Sequence, residues 1–168
     1  IYAADEFYPT PENLIAEMLT GTNFDRVRTI LAPSAGKGNI VKYLRAHHDD
    51  KYRNYTFDID AIEVSQELRH VLKGEGIRVV HDDFLTFQSL KKYDFVVINP
   101  PFSTGDKHVL KALSYVREGG RLVAVLNAET LRNPYTNTRK ELAATLAAMK
   151  ARIVYKQNAF TSAENRTG

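Results

Sequence analysis

Phe95-Val96-Val97-Ile98-Asn99-Pro100-Pro101-Phe102 joins a continuous apolar run to a stiff loop rich in hydrogen-bond acceptors. The apolar run predicts a strand buried on both faces, as in a parallel sheet. The two prolines fix φ and remove two N–H donors, so the loop presents carbonyl oxygens beside the Asn99 amide oxygen. Open α/β sheets bind ligands at this carboxyl edge. The stretch therefore predicts a pocket for a planar amino group, although a simple turn after a strand stays open.

Apolar strand patterns alternate with helical patterns, which favours βαβ units and a Rossmann-like α/β fold with a mostly parallel sheet. We predict six strands, at Thr29–Ala32, Ile59–Val64, Ile77–Val80, Phe95–Ile98, Leu122–Leu126 and Arg152–Tyr155. We predict helices at Ile40–Arg45, Gln66–Lys73, Val109–Val116 and Thr138–Met149, and an earlier helix with Thr10 as N-cap and Pro11 in its first turn. Gly119-Gly120 predicts a turn into the fifth strand. The 168 residues are expected to form one domain, 1–168.

The amino-acid composition excludes several kinds of functional site. The chain has no Cys, which excludes disulfides, thiolate metal sites and a thiol nucleophile. Its five His residues show no metal-ligand spacing, so no metal is expected. No apolar run is long enough to span a membrane, and we expect a cytoplasmic protein without a membrane partner. The net charge of +3 is compatible with a nucleic-acid partner but does not require one.

A second ligand-binding signal is the loop Pro33-Ser34-Ala35-Gly36-Lys37-Gly38, which follows the first predicted strand. Its glycines allow close backbone approach to a ligand, with the amides of the next helix aimed at it. The spacing is not that of a phosphate-binding P-loop, and a structural tight turn stays open. Glu63 ends the second predicted strand, where dinucleotide-binding folds place an acid for ribose hydroxyls; a solvated charge is the alternative.

Together these motifs resemble those of amino-methyltransferases that use S-adenosylmethionine, a group that includes the DNA adenine-N6 methyltransferases. Asn99-Pro100-Pro101-Phe102 resembles their Asn/Asp-Pro-Pro-aromatic signature, and Pro33–Gly38 resembles their cofactor loop. Phe7-Tyr8-Pro9-Thr10-Pro11 resembles their N-terminal motif, and Asp83-Phe84-Leu85 resembles their Asp-Phe-Leu segment. The motifs follow the gamma order of that group. The resemblance covers roughly residues 7–126 and implies a class I methyltransferase fold with three αβα layers.

The resemblance also implies a role for each matching residue. Asn99, Pro100, Pro101 and Phe102 would form the catalytic loop, with the Asn99 oxygen and the Pro100 carbonyl accepting from the target amine and Phe102 stacking on the base. Residues implied to bind S-adenosylmethionine are Tyr8, Thr10, Pro33, Ser34, Ala35, Gly36, Gly38, Glu63, Asp83, Phe84 and Asn99. Alignment on Phe84 selects Asp83 as the acceptor for the cofactor's adenine amine; Asp82 is the alternative.

The chemistry that this loop suits is methyl transfer to a conjugated amine, which is a poor nucleophile. Two acceptors pull the amine toward tetrahedral geometry and free its lone pair to attack a methyl sulfonium in line. Because the positive charge on sulfur disappears, positioning and electrostatics suffice without a strong base. The leading hypothesis is transfer to the exocyclic amine of adenine in DNA, on a flipped or single-stranded base.

Alternatives stay open for the acceptor. Ribosomal RNA base methyltransferases and protein-glutamine methyltransferases share the Asn-Pro-Pro-aromatic signature, so RNA and protein acceptors suit the same loop. A noncatalytic nucleic-acid-binding subunit is a third hypothesis, because Ala32 stands where the family usually has an acid. A last strand and a target-recognition domain cannot be placed in the sequence, so recognition is expected from a partner or a second copy, unless the chain is truncated or a small standalone enzyme.

Polar residues beyond these motifs are ambiguous. Asp106 is expected to cap a helix and His108 to lie on the surface, although either side chain could contact substrate. The basic residues Arg132, Arg139, Lys140, Lys150 and Arg152 fit either a phosphate-binding track or an ordinary solvated face.

Overall fold

Seven strands form one sheet in the computed structural model, which describes residues 1–4, 10–49 and 56–156. The strands are β1 (Tyr2–Ala4), β2 (Thr29–Ala32), β3 (Asp58–Ile62), β4 (Val79–His81), β5 (Tyr93–Ile98), β6 (Val116–Asn127) and β7 (Val154–Tyr155). Their order is β4-β3-β2-β5-β6-β1-β7, and the described pairs are parallel. The chain runs outward from β2 through β3 to β4, then returns to β5 and runs the other way. The order therefore reverses between β2 and β5, at the kind of switch point where α/β sheets bind ligands.

Helices cover both faces of this sheet. They are α1 (Glu12–Leu19), α2 (Asn39–His47), α3 (Gln66–Gly74), α4 (Gly105–Leu113), α5 (Ala128–Arg132) and α6 (Asn137–Ala148). Leu14, Leu44 and Leu72 bring α1, α2 and α3 onto one hydrophobic cluster. Val109 and Leu142 bring α4 and α6 onto a second one. The two clusters form a three-layer αβα arrangement, which confirms the predicted α/β fold class.

The predicted strands all occur, but the predicted number is wrong. Six was expected, whereas Tyr2–Ala4 adds a seventh strand between β6 and β7. Ala3 pairs with Leu126 on one side and with Tyr155 on the other. A strand of three residues whose partners lie at the far end of the chain leaves no local periodicity to detect.

Two helix starts differ from the predictions. The N-cap position of α1 is Pro11 and not Thr10, because the Thr10 hydroxyl instead accepts a hydrogen bond from the side chain of Asn99. Helix α4 begins at Gly105, ahead of the predicted Val109, and its N-cap is Thr104. Asp106 therefore lies inside the first turn, where its carboxylate accepts from the amide of Lys107.

The predicted turn at Gly119-Gly120 is a bulge within the long strand β6. Tyr93 pairs with Val116, whereas Phe95 pairs with Arg121, so the register shifts across the glycines. Gly119 has φ +80°, and a Cβ on Gly120 would lie 2.9 Å from the carbonyl oxygen of Asp94. The bulge therefore lets β6 continue along β5 to the carboxyl edge of the sheet.

Asp94 joins the beginnings of β2 and β5. Its Oδ2 accepts from the amides of Arg28 (2.8 Å) and Thr29 (3.1 Å), and its Oδ1 accepts from the guanidinium of Arg117. Burial by itself would raise the pKa of Asp94, but these hydrogen bonds favour the charged form more strongly. The pKa of Asp94 is therefore lowered below its ordinary value of 3.8.

We expect Asp94→Asn to lower the free energy of unfolding at neutral pH by about 2 kcal/mol, since it removes hydrogen bonds to a charged group. A lowered native pKa contributes stability above the unfolded pKa, and this contribution is lost as pH falls through the native pKa. Between pH 7 and pH 2, the free energy of unfolding measured in urea should therefore fall less steeply for Asp94→Asn than for the wild type. Glu141→Gln, an exposed change within α6, is the control for loss of a carboxylate. An equal slope in Asp94→Asn would contradict the assignment.

Candidate active site

A cavity of about 380 Å³ lies at the carboxyl ends of β2, β3 and β5. This volume is in the range of small-molecule sites. Much of its wall is apolar, with polar side chains contributed by Thr10, Ser34, Lys37, Asn39, Glu63, Asp82, Asn99 and His108. The fold therefore brings together residues from four predicted motifs at one edge of the sheet.

The glycine loop forms one wall of the cavity. Pro33, Ser34, Ala35 and Gly36 line it, and Gly36 has φ +57°. Gly38 has a different role: its φ is +88°, and a Cβ there would lie 2.9 Å from side-chain carbons of Leu72 and Ile77. Of the two glycines, Gly36 is thus placed at the cavity, whereas Gly38 is required where the loop turns into α2 against the core.

Glu63 fixes the glycine loop to the end of β3. The residue is 8% exposed. Its Oε1 accepts from the amide of Gly36 and its Oε2 from the amide of Ser65, both at 2.8 Å. The side chain is therefore not a solvated charge. Each carboxylate oxygen has a further lone pair, so Glu63 can hold the loop and still offer an acceptor to ribose hydroxyls, a role that stays a prediction.

The two neighbouring aspartates are placed differently. Asp82 lines the cavity, and its Oδ1 accepts from the amide of Asp83. Asp83 caps the short turn Phe84–Thr86 by accepting from the amide of Leu85, and Phe84 is buried in the second hydrophobic cluster. The geometry therefore favours Asp82, the alternative reading of the sequence, as the acceptor that meets a ligand.

The Asn-Pro-Pro-Phe loop forms the opposite wall. Asn99 and Pro101 line the cavity, Pro100 is buried, and Phe102 is half-buried and packs against the first hydrophobic cluster. The Pro101 carbonyl accepts from the amide of Thr104 at 3.2 Å. Asn99 donates from Nδ2 to the Thr10 hydroxyl at 2.6 Å, and its Oδ1 is buried without a hydrogen-bond partner among the described residues.

His108 was expected at the surface, and that prediction is wrong. It is 7% exposed and lines the cavity from α4. Its Nδ1 lies 2.8 Å from the Thr104 carbonyl, which can only accept, so Nδ1 carries a proton. In the neutral ring Nε2 is then an acceptor. The signal was present in the sequence, because Gly105, His108, Val109 and Ala112 share the helical spacing of one buried face.

The structure does not address the predicted cofactor contact of Tyr8, because Tyr8 lies outside the described residues. Within the described ranges, no group of three or more His, Asp or Glu residues is placed to hold a metal ion. In the same part of the chain, no helix combines the length and apolar character needed to cross a membrane.

A family model, the methyltransferase small domain, matches residues 2–161. The chain belongs to this methyltransferase family. A named relative is the tRNA1(Val) (adenine(37)-N6)-methyltransferase of Aliivibrio fischeri (strain MJ11), which is 30% identical over 98 residues. That match covers 54% of this chain and 39% of the relative, so the chain spans well under half the length of that enzyme.

Solved structures share the fold of this chain. The type I restriction-modification methyltransferase subunit from Streptococcus thermophilus has a TM-score of 0.67 at 15% identity, over 86% of this chain and 39% of its own. SAM-bound CalS10, an amino pentose methyltransferase from Micromonospora echinaspora, has a TM-score of 0.50 at 14% identity, over 67% of this chain and 47% of its own. These likenesses support the class I methyltransferase fold.

Family membership confirms the predicted cofactor, S-adenosylmethionine. The cavity of this chain fits that group, since Gly36 brings backbone to its wall and the buried Glu63 carboxylate offers acceptors for hydroxyls. Val64 is 69% exposed and lines the same cavity beside Leu68, which gives an apolar surface suited to a planar ring. The individual contacts of these residues with the cofactor stay predictions.

We expect Glu63→Gln to weaken S-adenosylmethionine binding about tenfold or more. Glutamine has one acceptor oxygen, so one of the two amides, Gly36 or Ser65, would face an N–H donor and the glycine loop would shift. Isothermal titration calorimetry measures the change. Glu67→Gln, an exposed change on α3, is the matched control and should bind as the wild type does. Unchanged affinity in Glu63→Gln would contradict this role.

Asp82 and Asp83 can be separated by the same titration. Asp82→Ala should weaken binding of the cofactor about tenfold, the loss expected for a hydrogen bond to a charged acceptor. Asp83→Ala should lower thermal stability through loss of its cap, with a smaller effect on affinity. The reverse pattern would show that alignment on Phe84, and not the cavity wall, identifies the ligand-binding aspartate.

Proposed function

We propose that this methyltransferase transfers a methyl group to the exocyclic amine of adenine in a nucleic acid, with DNA as the first acceptor to test. The observation that carries the proposal is the buried Oδ1 of Asn99, which has no partner among the described residues. A buried acceptor without a partner costs about 1–3 kcal/mol, and an amine N–H brought to it would recover that free energy.

The catalytic roles follow from the acceptors of the loop. The Pro101 carbonyl is already used by Thr104, so the acceptors proposed for the amine are Asn99 Oδ1 and the Pro100 carbonyl. When bound, S-adenosylmethionine supplies an electrophilic methyl group on a positively charged sulfur. The two acceptors would bind the amine hydrogens, so that the nitrogen lone pair is available for the methyl group. After transfer the positively charged nitrogen would release one proton to solvent. Phe102 is proposed to stack on the base.

Exposed groups at the same edge of the sheet favour a nucleic acid over a protein acceptor. Lys37 lies on the cavity wall, and α5 and the segment after it leave the carboxyl end of β6. In that segment Tyr135 is 68% exposed, with the Arg139 guanidinium 4.7 Å from its ring centroid. Aromatic rings paired with cations are suited to stacked bases and phosphates of single strands.

RNA is the second candidate acceptor, because the Aliivibrio fischeri relative is named for adenine-N6 methylation of a tRNA. The same loop geometry serves either nucleic acid, since both present the identical adenine amine once the base is out of the stack. We propose a cytoplasmic location, and recognition of the target by a partner or a second copy.

Asn99→Ala should reduce methyl transfer by at least about 1000-fold, because the loop loses a preorganised acceptor in the site. Affinity for S-adenosylmethionine should stay within about twofold if the amide acts mainly on the acceptor amine. Asn13→Ala is the matched control, since Asn13 is exposed on α1 and lies outside the cavity lining and the segment after α5. Transfer by Asn99→Ala at the wild-type rate would remove Asn99 from the mechanism.

The acceptor is identified by supplying labelled methyl donor with single-stranded DNA, RNA of the same sequence, duplex DNA and a protein extract. Digestion to nucleosides followed by mass spectrometry should give N6-methyladenine. Label in glutamine only would contradict the proposed function, as would cofactor binding with no transfer to any acceptor. N6-methyladenine in RNA alone would replace DNA by RNA while the amine chemistry stays.

A further inference from the structure

A hydrogen bond joins the start of the first helix to the catalytic loop. Asn99 Nδ2 donates to Thr10 Oγ1 at 2.6 Å, although the two residues are 89 positions apart. Thr10 is 7% exposed and lines the same cavity as Asn99. The hydroxyl does not cap α1, whose N-cap position is Pro11 without a side-chain hydrogen bond. The contact therefore has a role other than starting the helix.

The Asn99 carboxamide is planar, so the position of Nδ2 determines the position of Oδ1. Once Nδ2 is held by Thr10, the plane of the amide is set and Oδ1 must lie on the opposite side. There Oδ1 is buried and has no hydrogen-bond partner among the described residues. Rotation of the amide by 180° would put an NH₂ group in that place, where it would repel the N–H donors of an amine.

We propose that Thr10 is a positioning residue, which anchors the Asn99 carboxamide so that Oδ1 is kept as the acceptor for the target amine. This role rests on the proposed amine chemistry, whereas the hydrogen bond itself can be measured without it. The motif implied only that Thr10 contacts the cofactor. A positioning residue differs, because its substitution slows the transfer step by misplacing the acceptor of the reacting amine.

The substitutions Thr10→Val and Thr10→Ser separate shape from hydrogen bonding. Valine matches threonine in shape but offers no donor or acceptor, whereas serine keeps the hydroxyl. Thr22→Val is the matched control, because it is the same chemical change at a half-buried threonine whose buried Oγ1 has no hydrogen-bond partner among the described residues. Thr22 is not among the described residues that line the cavity.

Nuclear magnetic resonance, kinetics and calorimetry are applied to each protein. Nuclear magnetic resonance of ¹⁵N-labelled protein reports the Asn99 side-chain NH₂, assigned as the pair of signals missing in Asn99→Ala, and its exchange with solvent. Kinetics on the nucleic acid that the wild type methylates, together with calorimetric titration of S-adenosylmethionine, give kcat and the Kd of the cofactor. Circular dichroism confirms that each variant is folded.

In Thr10→Val, we expect the Asn99 NH₂ hydrogens to exchange with solvent about tenfold faster than in the wild type. We expect kcat to fall about 10- to 100-fold and the cofactor Kd to stay within about twofold. Thr10→Ser should recover most of both losses, and Thr22→Val should match the wild type. Weaker cofactor binding with unchanged kcat in Thr10→Val would overturn the proposal and make Thr10 a cofactor contact. Unchanged NH₂ signals would overturn it as well.

The failure of the proposed function would be recognised separately. If the wild type transfers no methyl group to any nucleic acid, the amine chemistry fails, and with it the catalytic purpose of the contact. The nuclear magnetic resonance comparison of Thr10→Val with Thr22→Val would still decide whether Thr10 anchors the Asn99 amide. Faster exchange in Thr10→Val alone would keep the anchor as a structural fact of the cavity.

Discussion

The buried carboxylate of Glu63 is the interaction on which the glycine-loop side of the cavity depends. A backbone loop that leaves a sheet has N–H groups with no strand to pair with, and burying them without acceptors is costly. Glu63 accepts from Gly36 on the loop after β2 and from Ser65 at the start of α3, so one side chain satisfies both connections. Because the two crossovers belong to adjacent strands, this carboxylate also sets the distance between the glycine loop and the wall that begins at Val64.

The parallel sheet explains why the rest of the site assembles. Parallel strands place the ends of β2, β3 and β5 at one edge, so residues that are far apart in the sequence meet there without any local signal between them. Asn99 and Thr10 are the clearest case, with 89 positions between them and a hydrogen bond of 2.6 Å. The bulge at Gly119-Gly120 contributes to the same edge, because after the register shift β6 stays paired with β5 up to Ala124, opposite Ile98.

Elements that carry their own local pattern could be predicted from the sequence, whereas those that depend on distant partners could not. Strand β2 was predicted at its observed bounds, Thr29–Ala32, since a buried strand carries its own apolar pattern. Strand β1 was missed because three residues acquire their pairing entirely from β6 and β7. The burial of His108 could be predicted from the spacing of the buried face of α4, although a histidine that follows a polar loop is usually exposed. The choice between Asp82 and Asp83 depends on how one turn is capped, which alignment on Phe84 does not encode.

The buried side chains of Asp60 and Asn99 differ in how fully they are hydrogen-bonded. Away from the cavity, Asp60 accepts from Tyr93 (2.6 Å), Lys91 (3.0 Å) and Arg78 (2.8 Å), so a buried carboxylate is surrounded by donors. Burial and this neighbour raise the pKa of Tyr93, which keeps its hydroxyl a donor. At the carboxyl edge Asn99 has only its Nδ2 engaged among the described groups. Both oxygens of the buried Asp60 carboxylate are hydrogen-bonded, whereas the Asn99 acceptor on the cavity wall is left for the donor of the proposed substrate, as in a preorganised site.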